Sequence, residues 1–270
     1  MNIGTKTALG IVTYDRGDFY DKIIDTLPKD SVDKIYVYDS SPSDKKYAKT
    51  NDRVKVISGD EPATVGVAKN RLWAAMIEDG ASHLYLQEDD VRITNGSVFE
   101  AYLETAKQSG LWGSLSYAWH GSANKNQKLE RIVKNSIDYE HGVGVDFTKN
   151  CAGAFTYHHA NIIDKIGYID EFYKNAWEHL DHYQQVAEKK LASHWWWFTD
   201  AKDSFKYFEE LDNDQLDRSV IRSDVSWKGD MIEGAKHFRK RFGNAPSDMP
   251  YVSEEVAMER MQYLQEKYSV

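Results

Sequence analysis

Hydrophobic and polar positions along this chain fall into a regular succession of elements. Ala8 to Thr13 is an apolar, β-prone run that ends in the polar stretch Tyr14-Asp15-Arg16-Gly17. Tyr20, Ile23, Ile24 and Leu27 then follow helical spacing, and Pro28 stops them. Ile35 to Tyr38 reads as a second strand, running into Asp39-Ser40-Ser41-Pro42, and Val54 to Ile57 as a third. Thr64 to Asp79 reads as a helix with Ala68, Leu72, Ala75 and Met76 inward and Gly80 after its end. Leu84, Tyr85 and Leu86 make a fourth strand. This order predicts an α/β fold with a mostly parallel sheet covered by helices. Each strand ends in polar residues, and in a parallel sheet those ends gather along one edge, where such sheets bind ligands.

Ser97 to Lys107 reads as a helix and Leu111 to Trp119 as a strand. Residues 121–149 are polar and weakly periodic and read as a long loop. Cys151-Ala152-Gly153-Ala154-Phe155 is small and apolar, suited to a close ligand approach. Ala160 to Ile166 is a short helix, followed by the loop 168–172. Leu180, Tyr183, Ala187 and Leu191 mark the inner face of a helix that begins near Trp177. His194 to Phe198 reads as an aromatic strand whose tryptophans pack in the core. After Asp203 the texture changes. Lys206 to Leu216 reads as an acidic helix, residues 235–243 are basic, and Ser253 caps a last helix with Ala257, Met261, Leu264 and Tyr268 inward. The expected organisation is a sheet domain over 1–203 and a helical C-terminal extension over 204–270.

Composition narrows the function. The chain has 270 residues, 41% of them hydrophobic, enough for a substantial core. A formal net charge of -9 argues against a surface built to grip nucleic acid. The single cysteine, Cys151, excludes an internal disulfide and a cysteine-rich zinc site, so a reducing, cytoplasmic setting is expected. No signal peptide and no apolar run of membrane-spanning length is evident.

The chemistry concentrates in His83 to Ile93, where Glu88, Asp89 and Asp90 directly follow the fourth strand. Three adjacent carboxylates repel one another unless a cation or ordered donors offset them. Oxygen ligands of this kind suit Mg²⁺ or Mn²⁺, and these ions suit a diphosphate. An acidic turn on a solvated surface is the plain alternative. No glycine-rich phosphate loop, GxGxxG or GxxxxGK[ST], is present, so a diphosphate would be met by metal or side chains.

The order of motifs over residues 8–191 resembles the GT-A nucleotide-sugar glycosyltransferases, especially glycosyltransferase family 2 and the polypeptide N-acetylgalactosaminyltransferases. The residues that carry the likeness are Thr13-Tyr14-Asp15-Arg16, Tyr38-Asp39-Ser40-Ser41, the Gly66 to Arg71 helix and Glu88-Asp89-Asp90 in the place of a DXD motif. Cys151 to Phe155, Ile166 to Glu171 and Trp177 to Asp181 complete it. The resemblance implies a GT-A fold and a metal-dependent transfer of sugar from a nucleoside diphosphate, UDP first, to an acceptor hydroxyl. It implies that Thr13, Asp15, Arg16, Asp39, Lys69, Glu88, Asp89, Gly153, Ala154 and Trp177 line the nucleotide and donor. Asp90 and Glu88 would hold Mn²⁺ or Mg²⁺. His194, Asp200 and Asp203 are candidates for a further ligand, and a Glu178–His182 metal pair is possible by spacing.

The departure from the family pattern is His179. Inverting members carry aspartate there as general base, so either Glu178 or His179 is the expected catalytic base. Without the resemblance, Glu178 reads as a helix N-terminal acid and His179 as a solvated loop histidine. A saccharide or lipopolysaccharide acceptor is the family's default. A hydroxylated nucleic-acid base is the alternative, motivated by the basic stretch Lys236 to Arg241, whose plain reading is a solvated helix face. Two competitors differ in class. A non-catalytic nucleotide-sugar-binding module would not need acids on the acceptor-side helix. A nucleotidyltransferase would need a GxGTRxxP loop, which is absent.

Overall fold

The computed structural model describes residues 4–28, 31–59, 62–113, 115–174, 176–211 and 226–270. Strands β1 (Thr7–Thr13), β2 (Lys34–Asp39), β3 (Val54–Val56) and β4 (His83–Glu88) form the parallel part of the sheet. β1 and β4 are buried over nearly their whole length, which is why both read as continuous apolar runs. Helices α1 (Gly17–Thr26) and α2 (Val65–Glu78) connect them. α2 starts at Thr64, whose side chain accepts from the Val67 N–H. Ala68, Leu72 and Met76 seal it onto the sheet.

Beyond β4 the chain makes the short strand β5 (Val91–Ile93), helix α3 (Ser97–Ser109) and strand β6 (Leu115–Ser116). Strands β7 (Asn135–Asp138), β8 (Gly144–Thr148) and β9 (Phe155–His159) follow. Helices α4 (Ala160–Ile166) and α5 (Glu178–Glu188) and strands β10 (Phe198–Ala201) and β11 (Phe208–Glu210) come next. Helices α6 (Trp227–Phe242) and α7 (Glu254–Tyr268) end the described chain. Among the described residues one sheet runs β3-β2-β1-β4-β9-β6-β10-β8-β7, and β5 pairs with β11 in a separate ribbon. The sheet changes character at β9, which is antiparallel to both β4 and β6.

Four expectations change. Residues 121–149 contain β7 and the fully buried β8. Although β8 is buried throughout, Asp146, bonded to Ser136, interrupts what would be a continuous apolar run, so the strand signal is hidden. Among the described residues of Leu111 to Trp119, only Leu115–Ser116 is paired as strand, and Trp112 packs as core. The strand expected at His194 to Phe198 begins at Phe198, because Trp196 turns the backbone into the left-handed region (φ 70). Its tryptophans do pack: Trp195 and Trp197 are buried. Residues 204–210 are a 3₁₀ turn and β11 rather than a helix, since Phe208 and Glu210 pair with Ile93 and Val91. Residues 212–216 of that expected helix lie outside the described residues.

The C-terminal helices share the sheet's core. Phe238, Ala257, Met261 and Leu264 are fully buried in one cluster with Phe147, Trp197 and Trp112. Leu264→Ala is therefore expected to destabilise the whole sheet unit by ~2–5 kcal/mol, as deletion of buried methyl groups does. Urea unfolding followed by tryptophan fluorescence would show one transition at lower midpoint. An unchanged transition would mean that the last helix rides on the sheet without contributing to its core.

Candidate active site

The register of the parallel strands builds the site's edge. Thr13 lies opposite Asp39, and Val12 lies opposite Glu88, so the ends of β1, β2 and β4 coincide. Asp89 ties the loop after β1 to this edge. Its carboxylate accepts from Thr13 Oγ1 (2.8 Å), the Tyr14 N–H (3.2 Å) and the Arg16 guanidinium (3.1 Å). Burial pushes its carboxyl up to about 7 against the pull of Arg16. Asp39 shapes the next loop. It is fully buried and accepts backbone N–H bonds from Ser41 (3.0 Å), Tyr47 (3.0 Å) and Ala48 (3.2 Å). Burial acts to raise it, but these donors outweigh burial and hold it below its ordinary value. The Tyr47 hydroxyl closes the circuit by bonding Thr13 Oγ1 and the Arg16 N–H. Asp15 is exposed and faces Lys45 at 3.5 Å.

Lys69 is the hub. Only 2% exposed, it places Nζ 2.6 Å from Glu88 Oε1 and 3.1 Å from Glu178 Oε1. A buried ammonium is strongly disfavoured alone, and here two carboxylates hold it charged. Burial lowers the Lys69 value, but Glu88 and then Glu178 raise it well above the usual lysine range. Burial likewise acts to raise Glu178, and Lys69 followed by His179 outweighs it, leaving its carboxyl well below the carboxylate range. One cation thus joins Glu88 on β4 to the first residue of α5.

His179 completes this chain of contacts. Its Nδ1 is 3.2 Å from Glu178 Oε1. A Cβ on Gly153 would lie 3.2 Å from His179 Nδ1 and 3.3 Å from Glu88 Oε1, so glycine there lets the β9 lead-in pass between the two. The Glu88 N–H donates to the Ala154 carbonyl at 2.8 Å, fixing that lead-in to β4. His182 turns away, with Nε2 3.1 Å from the Gly167 carbonyl, and burial pushes it down to about 4. It is a neutral core histidine beside Trp73 and forms no pair with Glu178. Behind the hub a cavity of about 20 Å³ is lined by Lys69, His158, His179 and Cys151, whose thiol burial pushes up to about 12.

Trp177 starts α5 in the left-handed region (φ 73), an uncommon conformation for a bulky residue. Helix α6 holds it there. The indole N–H donates to the Met231 carbonyl at 3.0 Å, and a Cβ on Gly234 would meet Trp177 Cδ1 at 2.7 Å. His237 pairs with Asp170 at 2.8 Å, and Arg241 pairs with Asp170 at 2.8 Å and Asp181 at 2.5 Å. Arg239 pairs with Asp248. Most of the basic stretch 236–241 therefore clamps the protein onto itself. Trp177 itself is spent on that clamp.

The residues fit a divalent cation in an open rather than a closed site. Asp90 Oδ1 is buried with no hydrogen-bond partner, and burial raises this carboxyl above its ordinary value against the pull of His120. That is an oxygen suited to a cation. The other candidates are engaged elsewhere. Asp200 accepts from Tyr102, Ser204 and the Ala118 N–H. Asp203 follows β10 and gives its N–H to Asp146. His194 precedes β10, at the opposite end of that strand, where burial and then Arg260 lower it. No three His, Cys, Asp or Glu side chains form a metal-binding group among the described residues.

Solved structures share this fold. The crystal structure of S. aureus TarS matches with a TM-score of 0.55 and 13% identity, over 98% of this chain and 44% of that one. The chain has the GT-A fold. TarS 1–349 matches with a TM-score of 0.51 and 12% identity, over 95% of this chain and 69% of that one. The likeness at this identity is one of fold, and this chain spans less than half of the first TarS chain. No family model and no curated protein matches the sequence. In GT-A terms, the structure brings Lys69, Glu88, Gly153, Glu178 and His179 together and sets Thr13, Arg16, Asp39 and Asp89 along the adjoining edge. Tyr47 escaped the sequence reading, and so did the partners of His237 and Arg241 in the basic stretch, because these contacts are made only in the tertiary fold.

The Lys69 hub has a pH signature. Lys69→Met would leave the buried Glu178 and the partly exposed Glu88 without their cation, a loss of ~3–5 kcal/mol. Glu178 has a lowered folded value, so its contribution is full above the unfolded carboxyl value of about 4.3 and fades as pH falls through the folded one. The deficit of Lys69→Met is therefore expected to be largest near neutrality and to narrow in acid. Urea midpoints from pH 7 down to pH 3 measure it; a deficit constant across that range would mean that the ion pairs do not carry the loss.

Proposed function

We propose that this protein is a metal-dependent glycosyltransferase that moves a sugar from a nucleoside diphosphate, UDP first, to a hydroxyl of a saccharide acceptor. The observation that carries this reading is the buried Lys69, which couples Glu88 at the diphosphate edge to the Glu178–His179 pair across the site. A module that only bound nucleotide would have no use for a histidine–carboxylate pair poised there. A saccharide is favoured over a nucleic-acid acceptor because His237, Arg239 and Arg241 are taken up by internal ion pairs and the net charge is -9. The single, partly buried cysteine accords with a cytoplasmic setting.

The local geometry favours His179 as the base. General bases work best when their affinity for protons is matched to the working pH. Glu178 is too weak a base for that, being held far below its ordinary range. It serves instead to accept a bond from His179 Nδ1–H, leaving Nε2 to accept a proton. The acceptor oxygen then forms its bond to the anomeric carbon while the bond from that carbon to the diphosphate oxygen breaks. The hydroxyl proton goes to His179 Nε2, and the electron pair leaves with the nucleoside diphosphate. A direct displacement of this kind inverts the anomeric centre. Asp90, with Glu88 beside it, would hold the divalent cation, which when bound offsets charge on the leaving diphosphate.

Nucleoside diphosphate release from a panel of sugar nucleotides with Mn²⁺ tests the activity, and proton NMR of the product reads its anomer. His179→Asn is expected to lower the saturating rate by ~10²–10⁴ with donor affinity unchanged. Parent-like rates in His179→Asn would remove it as the base, and no turnover with any sugar nucleotide would remove the reading itself. Gly234→Ala, distant in sequence, should also slow transfer by displacing Trp177, while leaving donor affinity intact. Its rate and donor affinity, measured together, would reveal a purely structural role if neither moved.

A further inference from the structure

Several buried polar atoms next to the acid turn have no hydrogen-bond partner. They include Gln87 Oε1, Asp90 Oδ1, Arg92 Nε, Trp119 Nε1 and His120 Nδ1. Folded proteins leave few such atoms, and a group of them marks a place built for something else. They belong to two short segments, the end of β4 with the turn into β5 and the residues that follow β6. These segments meet: His120 Nε2 stands 3.5 Å from Asp90 Oδ2.

That separation is long for a hydrogen bond. It fits two ligands of one ion. With ligand distances of about 2.1 Å, adjacent ligands of an octahedral ion stand about 3.0 Å apart and opposite ones about 4.2 Å. The topology explains the meeting. β4 is antiparallel to β9 and β9 to β6, so β4 and β6 run the same way and end on the same edge. The residues that follow β6 therefore come to the acid turn.

The loop carrying His120 is held firmly. Asn124 is buried and donates to the carbonyls of Ala118 and Asn150, both at 2.8 Å. Lys125 pairs with Glu210 on β11 at 2.7 Å. Arg131 lies 3.4 Å over the Phe205 ring. A ligand presented on an anchored loop loses little freedom when an ion binds.

We propose that His120 is the nitrogen ligand of the divalent cation at Asp90, and that it makes the site prefer Mn²⁺ to Mg²⁺. This rests on the sugar-nucleotide reading above, which requires a cation but not this ligand. Carboxylate oxygens serve both ions, whereas imidazole is a poor partner for Mg²⁺ and an acceptable one for a transition metal. Asp90 and His120 supply two positions, and diphosphate oxygens and water supply the rest.

Pulsed electron paramagnetic resonance of the full chain with Mn²⁺ and UDP reads the ligand directly. The parent should show nitrogen coupling from a bound imidazole. His120→Asp keeps a hard ligand and should retain Mn²⁺ while losing that coupling. His120→Ala should weaken Mn²⁺ binding about tenfold or more in calorimetry and narrow the preference over Mg²⁺. Mn²⁺ bound without nitrogen coupling in the parent, or with coupling that persists in His120→Asp, overturns the assignment and leaves the proposed function standing. Absence of any Mn²⁺ or Mg²⁺ binding with UDP, together with no sugar transfer, overturns both.

Discussion

A single buried ammonium holds this molecule's chemistry together. Lys69 comes from α2, Glu88 from β4 and Glu178 from α5, so the ion pairs join three elements at the point where the parallel half of the sheet gives way to the antiparallel half. The arrangement is costly to desolvate and tolerable only when every partner is present. Its consequence is electrostatic order. Glu178 is fixed as an anion, and a fixed anion beside His179 Nδ1 fixes the tautomer of the imidazole. The rest of the site inherits its geometry from this hub: Gly153 threads past it, and α5 begins at it.

The outer supports are of a different kind. Asp89 and Asp39 use their carboxylates on the backbone of the protein's own loops, giving the β1 and β2 ends one rigid rim. Helix α6 reaches across from the C-terminal region to press Trp177 into its left-handed turn. Strain at a helix start beside reactive groups persists only where the surroundings determine it several times over. The indole bond, the close approach at Gly234 and the Asp170 and Asp181 ion pairs are that determination.

Much of the parallel half was legible in the sequence because its signals are local. Strands such as Ala8 to Thr13 are buried on both faces and read as unbroken apolar runs, and α2 carries its own cap at Thr64. The rule that polar residues after strands share an edge placed Thr13, Asp39 and Glu88 together. The antiparallel half was harder. β8 hides Asp146 in its middle, and the Trp195–Trp197 run looks like a strand until Trp196 turns it. Lys69 was expected near nucleotide, but its spacing from Glu178 is 109 residues, and no periodicity reports a contact of that span. His120 was within reach of the same edge rule, since it directly follows the apolar stretch Leu111 to Trp119. It was passed over because the direction of β6 is set by β9, a pairing that composition does not reveal.

The two bonds of Lys69 also differ greatly in chain distance, 19 residues to Glu88 and 109 to Glu178. As the polypeptide leaves the ribosome, the near partner emerges at once and the far one only after most of the sheet has been synthesised. Until then the growing chain holds a half-neutralised cation at the surface that will become its interior. The half that carries Lys69 and Glu88 is thus not a module that can be finished early and lent to another protein. The finished hub arrives with the late segment, and a chain that stalls before Trp177 would carry Lys69 and Glu88 without the partner that completes their arrangement.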